Sequence, residues 1–283
     1  MNRQKRVAAI HDISCFGKCS LTVALPIISA AGIETSVIPT AVLSTHTGGF
    51  SGYTFRDLTD DILPVAEHWK CLGLNFDAVY TGYLGSFKQL ELVSEIIGLL
   101  KAPETLIIVD PVMADNGRLY SSFPENFPEG MKKLCALADV VVPNITEASL
   151  LLGLPYVEGP YTREYIEGLL RGLLGLGSKA AVLTGVSFEE GLLGAACIDV
   201  SGSISYAFTE RIEGSYHGTG DVFASALTAA LLKGLRLEKS IKIAAEFTVA
   251  AIKRTRAAGT DIRYGVNFEA GLRDLAGMIE AEL

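Results

Sequence analysis

Six short runs, each rich in small and branched apolar residues, recur along the chain at Arg6–Ile10, Thr35–Leu43, Ala78–Tyr83, Leu106–Asp110, Val140–Pro143 and Ala180–Thr184. None alternates cleanly between apolar and polar residues, so each predicts a strand buried on both faces. Between them stand helical patterns near 20–31, 55–73, 86–100, 130–138, 146–152 and 163–176. That alternation predicts an α/β fold of three layers, a mostly parallel central sheet with helices on both faces. The rhythm changes in the C-terminal third. Leu192–Ile198 and Ile204–Thr209 flank the turn signal "DVSGS" and predict antiparallel strands at a sheet edge, followed by helices near 221–233, 238–256 and 268–281. No repeat, low-complexity tract or linker interrupts the pattern, so one domain over residues 1–283 is expected.

Charge and cysteine content narrow the function. The formal net charge is -8, which supplies no global basic field to draw a polyanion. Nucleic acid is therefore not an expected partner, whereas a local pocket for a small anion is. The apolar stretch after Met1 is too short for a signal-peptide core. The run Leu21–Ile33 contains Pro26 and Gly32 and falls short of a membrane span. Five cysteines without a CxxC pair suit reduced thiols. A cytoplasmic protein that does not engage membranes is expected.

The segment "SYHGTGDVFASALTAALLKG" carries the strongest chemical signal. Gly218 and Gly220 permit backbone angles closed to other residues, and they flank the start of an Ala/Leu-rich helix. The first amides of a helix have no partner within it and lie at its positive end, so such a turn binds anions, phosphate above all. Asp221 follows directly. It complements the helix dipole, or it serves as a general base beside an anion hole, the pairing that phosphoryl transfer to an alcohol needs. The segment lacks the third glycine of a dinucleotide fingerprint, and the chain has no GxxxxGK[ST], GxSxG or HExxH motif.

Polar residues also gather at predicted strand ends, where open parallel sheets bind ligands. "IIVDPVMADNG" places Asp110 at the end of one strand and Asp115 just beyond, oxygen ligands suited to Mg²⁺ or to turn formation. "VVVPNITEASLLLG" places Asn144 and Glu147 at the start of a helix, in the spacing of a capping box. "AVLTG" ends another strand with Thr184 and Gly185. The stretch 112–130 reads as the longest irregular segment, a surface connection or a lid over a site.

Together "GTGD" before an Ala-rich helix, "DPVM-x-D-x-G-x-LY" and "PN-x-TEA-x-LL" resemble the ribokinase-like small-molecule kinases. "STHTGGFSG" at 44–52 and "TGYLGS" at 81–86 are similar to segments of the pyridoxal kinase branch, and the likeness runs from about Arg6 to Gly265. The resemblance implies an ATP-dependent kinase for vitamin B6, with Asp221 taking the proton of the 5′-hydroxymethyl group and Gly218, Thr219 and Gly220 forming the anion hole. It implies that Asp110, Asp115 and Glu147 surround Mg²⁺ and a monovalent cation such as K⁺. Asn144, Thr184 and Gly185 would lie at the ATP phosphates, and Thr47, Tyr83 and His46 at the vitamin ring. A homodimer is implied as well.

One position departs from the branch. Its members carry a serine soon after the first strand, near the ring nitrogen, where this chain has Asp12 with Ser14 two residues on. Our hypothesis is that Asp12 pairs with a protonated ring nitrogen in a charge-assisted bond; a turn-forming Asp is the alternative. An Asp here is also a feature of the hydroxymethylpyrimidine kinases, whose usual cysteine in place of Asp221 is missing, so activity on both rings stays open. A silent sensor on the same fold would have no use for Asp221.

Overall fold

The computed structural model describes residues 3–283. Its centre is a nine-stranded sheet, in spatial order β11 (Ile204–Glu210), β10 (Leu192–Asp199), β9 (Ala180–Val186), β8 (Val140–Val141), β5 (Leu106–Val109), β4 (Ala78–Thr81), β1 (Arg6–Ser14), β2 (Glu34–Leu43) and β3 (Phe55–Asp57). The six strands from β9 to β2 run parallel, and β10, β11 and β3 add antiparallel pairings at the two edges. Burial on both faces explains the composition of the central strands. Val7 to Ile10, Ala78 to Tyr80 and Ile107 to Val109 are all fully buried.

Successive side chains alternate between two cores. Val7, Ala9, Tyr80 and Ile108 face α1 (Leu21–Ala30), α7 (Thr219–Leu232), α8 (Leu237–Ala257) and α9 (Leu272–Glu282). Ala8, Ile10, Val79 and Ile107 face α2 (Thr59–Cys71), α3 (Phe87–Leu100), α4 (Phe127–Cys135), α5 (Ile145–Leu152) and α6 (Arg163–Leu174). Helix α7 is buried nearly all round, from Val222 to Ala230. Its Ala-rich composition lets it sit close to the sheet while α8 and α1 cover it. Leu227 at its centre is fully buried and contributes about 1.5–3 kcal/mol by leaving water. Among the described residues no helix is long and apolar enough to cross a membrane.

Two local expectations are corrected. Residues 55–57 are an exposed edge strand paired with β2, and α2 starts only at Thr59. The strand is three residues long with every side chain exposed, so it leaves no periodic signal. The 112–130 stretch is not irregular. It contains the hairpin of β6 (Ala114–Asp115) and β7 (Arg118–Leu119), joined by Asn116 at φ 50° and Gly117 at φ 74°. An Asn-Gly pair is the two-residue turn that matches strand twist. Helix α4 then begins at Phe127.

Candidate active site

Strand order reverses beside β1. The chain runs from β1 to β2 on one side, whereas β4, β5, β8 and β9 lie on the other. A reversal of this kind leaves a crevice at the carboxyl ends of the strands, where ligands of open α/β sheets bind.

Asp12 enters that crevice from β1. The register with β2 shifts between His11 and Ile13, so Asp12 sits on a bulge, a device that re-aims a side chain. It is 5% exposed, and Ser14 Oγ donates to its Oδ2 at 3.3 Å. Burial raises its proton affinity, against hydrogen bonds from Ser20 and Ser14. Its charge reaches the phenol of Tyr83, which is half-buried at the same opening.

Across the crevice stands the start of α7. Gly218 is its N-cap, at φ 75°, and a Cβ there would collide with the Lys18 carbonyl oxygen. Glycine is thus required twice, by conformation and by close approach. The first bond of the turn runs from Val222 N to Gly218 O at 3.0 Å. Among the described residues the amides of Gly218, Thr219, Gly220 and Asp221 donate to no protein acceptor. Thr219 Oγ1 is turned back to Tyr216 O at 3.1 Å. Asp221 keeps partial access to solvent, and burial raises its pKa to about 7, the Ser20 amide opposing and the charge of Asp12 adding.

Sequence reasoning missed Ser20. It holds φ 53° and ψ -126° without being glycine, a costly conformation that persists only under constraint. Its amide faces Asp221 and its hydroxyl faces Asp12, so one strained residue stands between the two acids. No local pattern in the sequence marks it.

The remaining predicted residues divide. Asp110 follows β5, is 7% exposed and makes no side-chain hydrogen bond among the described residues. Burial first, then Glu147, then Asp221 push its carboxyl well above the usual range. Glu147 is spoken for. Its Oε2 accepts Asn144 N at 2.9 Å, and its Oε1 accepts Met113 N at 3.1 Å and Ala114 N at 3.5 Å. Asn144 completes the capping box by accepting Glu147 N at 2.9 Å, and its Nδ2 donates to Ala114 O at 2.8 Å. The pair therefore fastens the segment before the hairpin to α5, and Gly117 N donates to Thr146 Oγ1 at 2.9 Å beyond it. Asp115 is exposed, and among the described residues its carboxylate accepts only from Asn116.

Asp110, Asp115 and Glu147 are consequently not gathered into one ligand shell. Among the described residues no group of three or more His, Cys, Asp or Glu is placed to hold a metal ion. Thr184 lies beside Asn144 through a parallel bridge, half-buried with its hydroxyl unengaged, and Gly185 follows at φ 78°. Thr47 is exposed at the opposite end.

Both ring nitrogens of His46 are taken within the chain rather than left open. Nδ1 accepts from Gly48 N at 3.1 Å, which leaves Nε2–H to donate to Arg263 O at 2.6 Å. The ring stacks obliquely on His217, centroids 5.1 Å apart, just before the glycine turn. His46 thus ties the 44–50 loop to residues 217 and 263.

Phosphoryl transfer is the chemistry that such a crevice serves, and the sheet puts the chain among the ribokinase-like small-molecule kinases. More narrowly, the chain belongs to the phosphomethylpyrimidine kinase family, whose model matches residues 25–266. It is 28% identical over 265 residues to the pyridoxine/pyridoxal/pyridoxamine kinase of Bordetella avium, which spans 89% of this chain and 86% of that one. The solved pyridoxal kinase of Lactobacillus plantarum superposes with a TM-score of 0.89 at 32% identity over 99% of both chains. A Bacteroides thetaiotaomicron protein crystallised with pyridoxal gives 0.90 at 36% identity over 96% of each.

Proposed function

We propose that the protein transfers the γ-phosphoryl group of ATP to the 5′-hydroxymethyl group of a B6 vitamer, pyridoxal, pyridoxine or pyridoxamine. The observation that carries this reading is the pairing of a half-open carboxylate, Asp221, with a turn of unclaimed amides at its side. Asp221 takes the alcohol proton as the oxygen attacks the γ-phosphorus in line, and the bond to ADP breaks. The amides of 218–221 face the charge spread over the moving phosphoryl. A base near pH 7 is matched to that task. Names of similar proteins support the acceptor: the Bordetella avium, Lactobacillus plantarum and Bacteroides thetaiotaomicron relatives are all linked to B6 vitamers.

The donor set suits a hard divalent cation arriving with nucleotide. Among the described residues no Lys or Arg forms an ion pair with Asp12, Asp110, Glu147 or Asp221. Asp110 is buried with its oxygens unengaged, an arrangement that calls for positive charge. Asp110, with Glu147 behind it, would hold Mg²⁺, which when bound neutralises phosphate charge. A monovalent cation such as K⁺, Thr184 and Gly185 at the phosphates, Thr47 and Tyr83 at the ring, and a homodimer belong to the same reading. The 112–122 segment would cover the phosphate end and exclude water.

The family model's name points to a substituted pyrimidine as a second class of acceptor, and hydroxymethylpyrimidine is the alternative to test. One panel decides: ATP and Mg²⁺ with the three vitamers, hydroxymethylpyrimidine and ribose, for the wild type and Asp221→Asn. Turnover of a vitamer that Asp221→Asn loses is the expected result. Binding without ATP consumption, seen by calorimetry, would overturn the kinase reading.

A further inference from the structure

Beneath the acids lies a group of polar side chains that phosphoryl transfer, as described, does not use. Tyr80 is on β4, paired with Ala9 of β1 and Ile108 of β5. Two residues further along those neighbours, on the same face of the sheet, stand His11 and Asp110. Tyr80 is therefore flanked diagonally by an imidazole and by the buried carboxylate. From the opposite side the first two turns of α7 cover this row. Asp221 and Ser225 are four residues apart and share one face of that helix.

Tyr80, Ser225 and His11 are all fully buried. Among the described residues the Tyr80 hydroxyl, the Ser225 hydroxyl and both His11 nitrogens have no hydrogen-bond partner. Buried polar atoms are seldom left so, and one ordered water can satisfy several of them at once. His11 meets the Tyr80 ring edge-on, centroids 4.5 Å apart, and Gly82 leaves room for that imidazole, since a Cβ there would collide with it. The phenol is thus held at a set angle. Ser225 lies at its hydroxyl, and the charges of Asp110 and Asp221 both bear on it. Burial above all, then those charges, push the phenol far upward.

We infer that Tyr80 is a positioning residue for the base: its hydroxyl, backed by Ser225, holds the Asp221 carboxylate toward the acceptor alcohol through one bound water. This rests on the proposed function, in which Asp221 accepts the proton. Tyr80 touches neither substrate nor nucleotide, so its loss lowers the rate of the step without weakening binding.

The test is a kinetic cycle on the full chain with Tyr80→Phe, Ser225→Ala, Asp221→Asn and Tyr80→Phe/Asp221→Asn, using ATP, Mg²⁺ and whichever vitamer the wild type turns over fastest. Tyr80→Phe should lower kcat about tenfold, the size of one hydrogen bond to a charged group. Both KM values should stay within about twofold, because uniform binding is untouched. Ser225→Ala should act in the same direction, which keeps the inference open to test if the tyrosine variant folds poorly. In the Asp221→Asn background, Tyr80→Phe should add nothing. Wild-type kcat for both Tyr80→Phe and Ser225→Ala, or an equal loss with and without Asp221, would overturn the inference while leaving the base in place. Wild-type turnover by Asp221→Asn would overturn the base reading, and this one with it.

Discussion

Asp12, on the bulge of the first strand, and Asp221, in the first turn of α7, share one crevice, and the charge of Asp12 raises the proton affinity of Asp221. Burial is the larger cause of that rise, and the strained Ser20 stands beside both acids. In the proposed reading these two acids serve proton acceptance, while Asp110 and the free amides beside Asp221 serve phosphate charge.

Replacing the base should separate chemistry from binding. Asp221→Asn is expected to lower kcat by about 10² or more, the usual worth of a general base. Calorimetry should find nucleotide and vitamer affinity largely kept. In the wild type, kcat/KM should climb as pH rises through about 7, because only the ionised carboxylate accepts a proton. In the variant that rise should disappear.

The same acid makes a prediction about stability. Asp221 holds its proton more tightly folded, at about 7, than unfolded, where a carboxyl titrates near 3.8. Its contribution to stability is complete below the lower value and is lost as pH rises through the upper one, since the unfolded chain binds fewer protons across that window. Asp221→Asn removes the loss. Thermal scans should show the variant gaining on the wild type between about pH 4 and 7, with a constant difference above. A difference in Tm that does not change with pH would contradict this.

Asp12 should govern which ring is accepted. A buried carboxylate whose donors are all uncharged gains a full charge-assisted bond from a protonated ring nitrogen. Asp12→Ser leaves a neutral bond, and catalytic efficiency should fall by about 10- to 100-fold on the preferred vitamer, the worth of a bond to a charged partner. The three vitamers should also change rank. Equal efficiencies for variant and parent on all three would reject the pairing.

Gly218 should tolerate no side chain. Gly218→Ala meets a left-handed φ and the Lys18 carbonyl together. Denaturation should show a loss of about 1–3 kcal/mol from backbone strain. KM for ATP should rise as well, because the turn that presents the amides has to open. Gly220→Ala, with nothing near its Cβ position and no positive φ, should lose far less stability.

The sequence by itself determined the alternation of elements, the antiparallel pair at one sheet edge and the polar residues at strand ends. Apolar runs and turn residues are local signals, and the buried strands from Val7 to Ile10 and Ile107 to Val109 follow them. Tertiary structure decided what those polar residues do. Glu147 and Asn144 capture the segment before the hairpin, His46 spends both nitrogens on Gly48 and Arg263, and Asp115 stays apart from Asp110. It also decided that Ser20 is strained between two acids and that Tyr80 lies beside Ser225, with the charges of Asp110 and Asp221 bearing on it. The reason is physical. Periodicity encodes which face a side chain takes, whereas a hydrogen bond or a charge depends on the partner that the folded chain brings from far along the sequence.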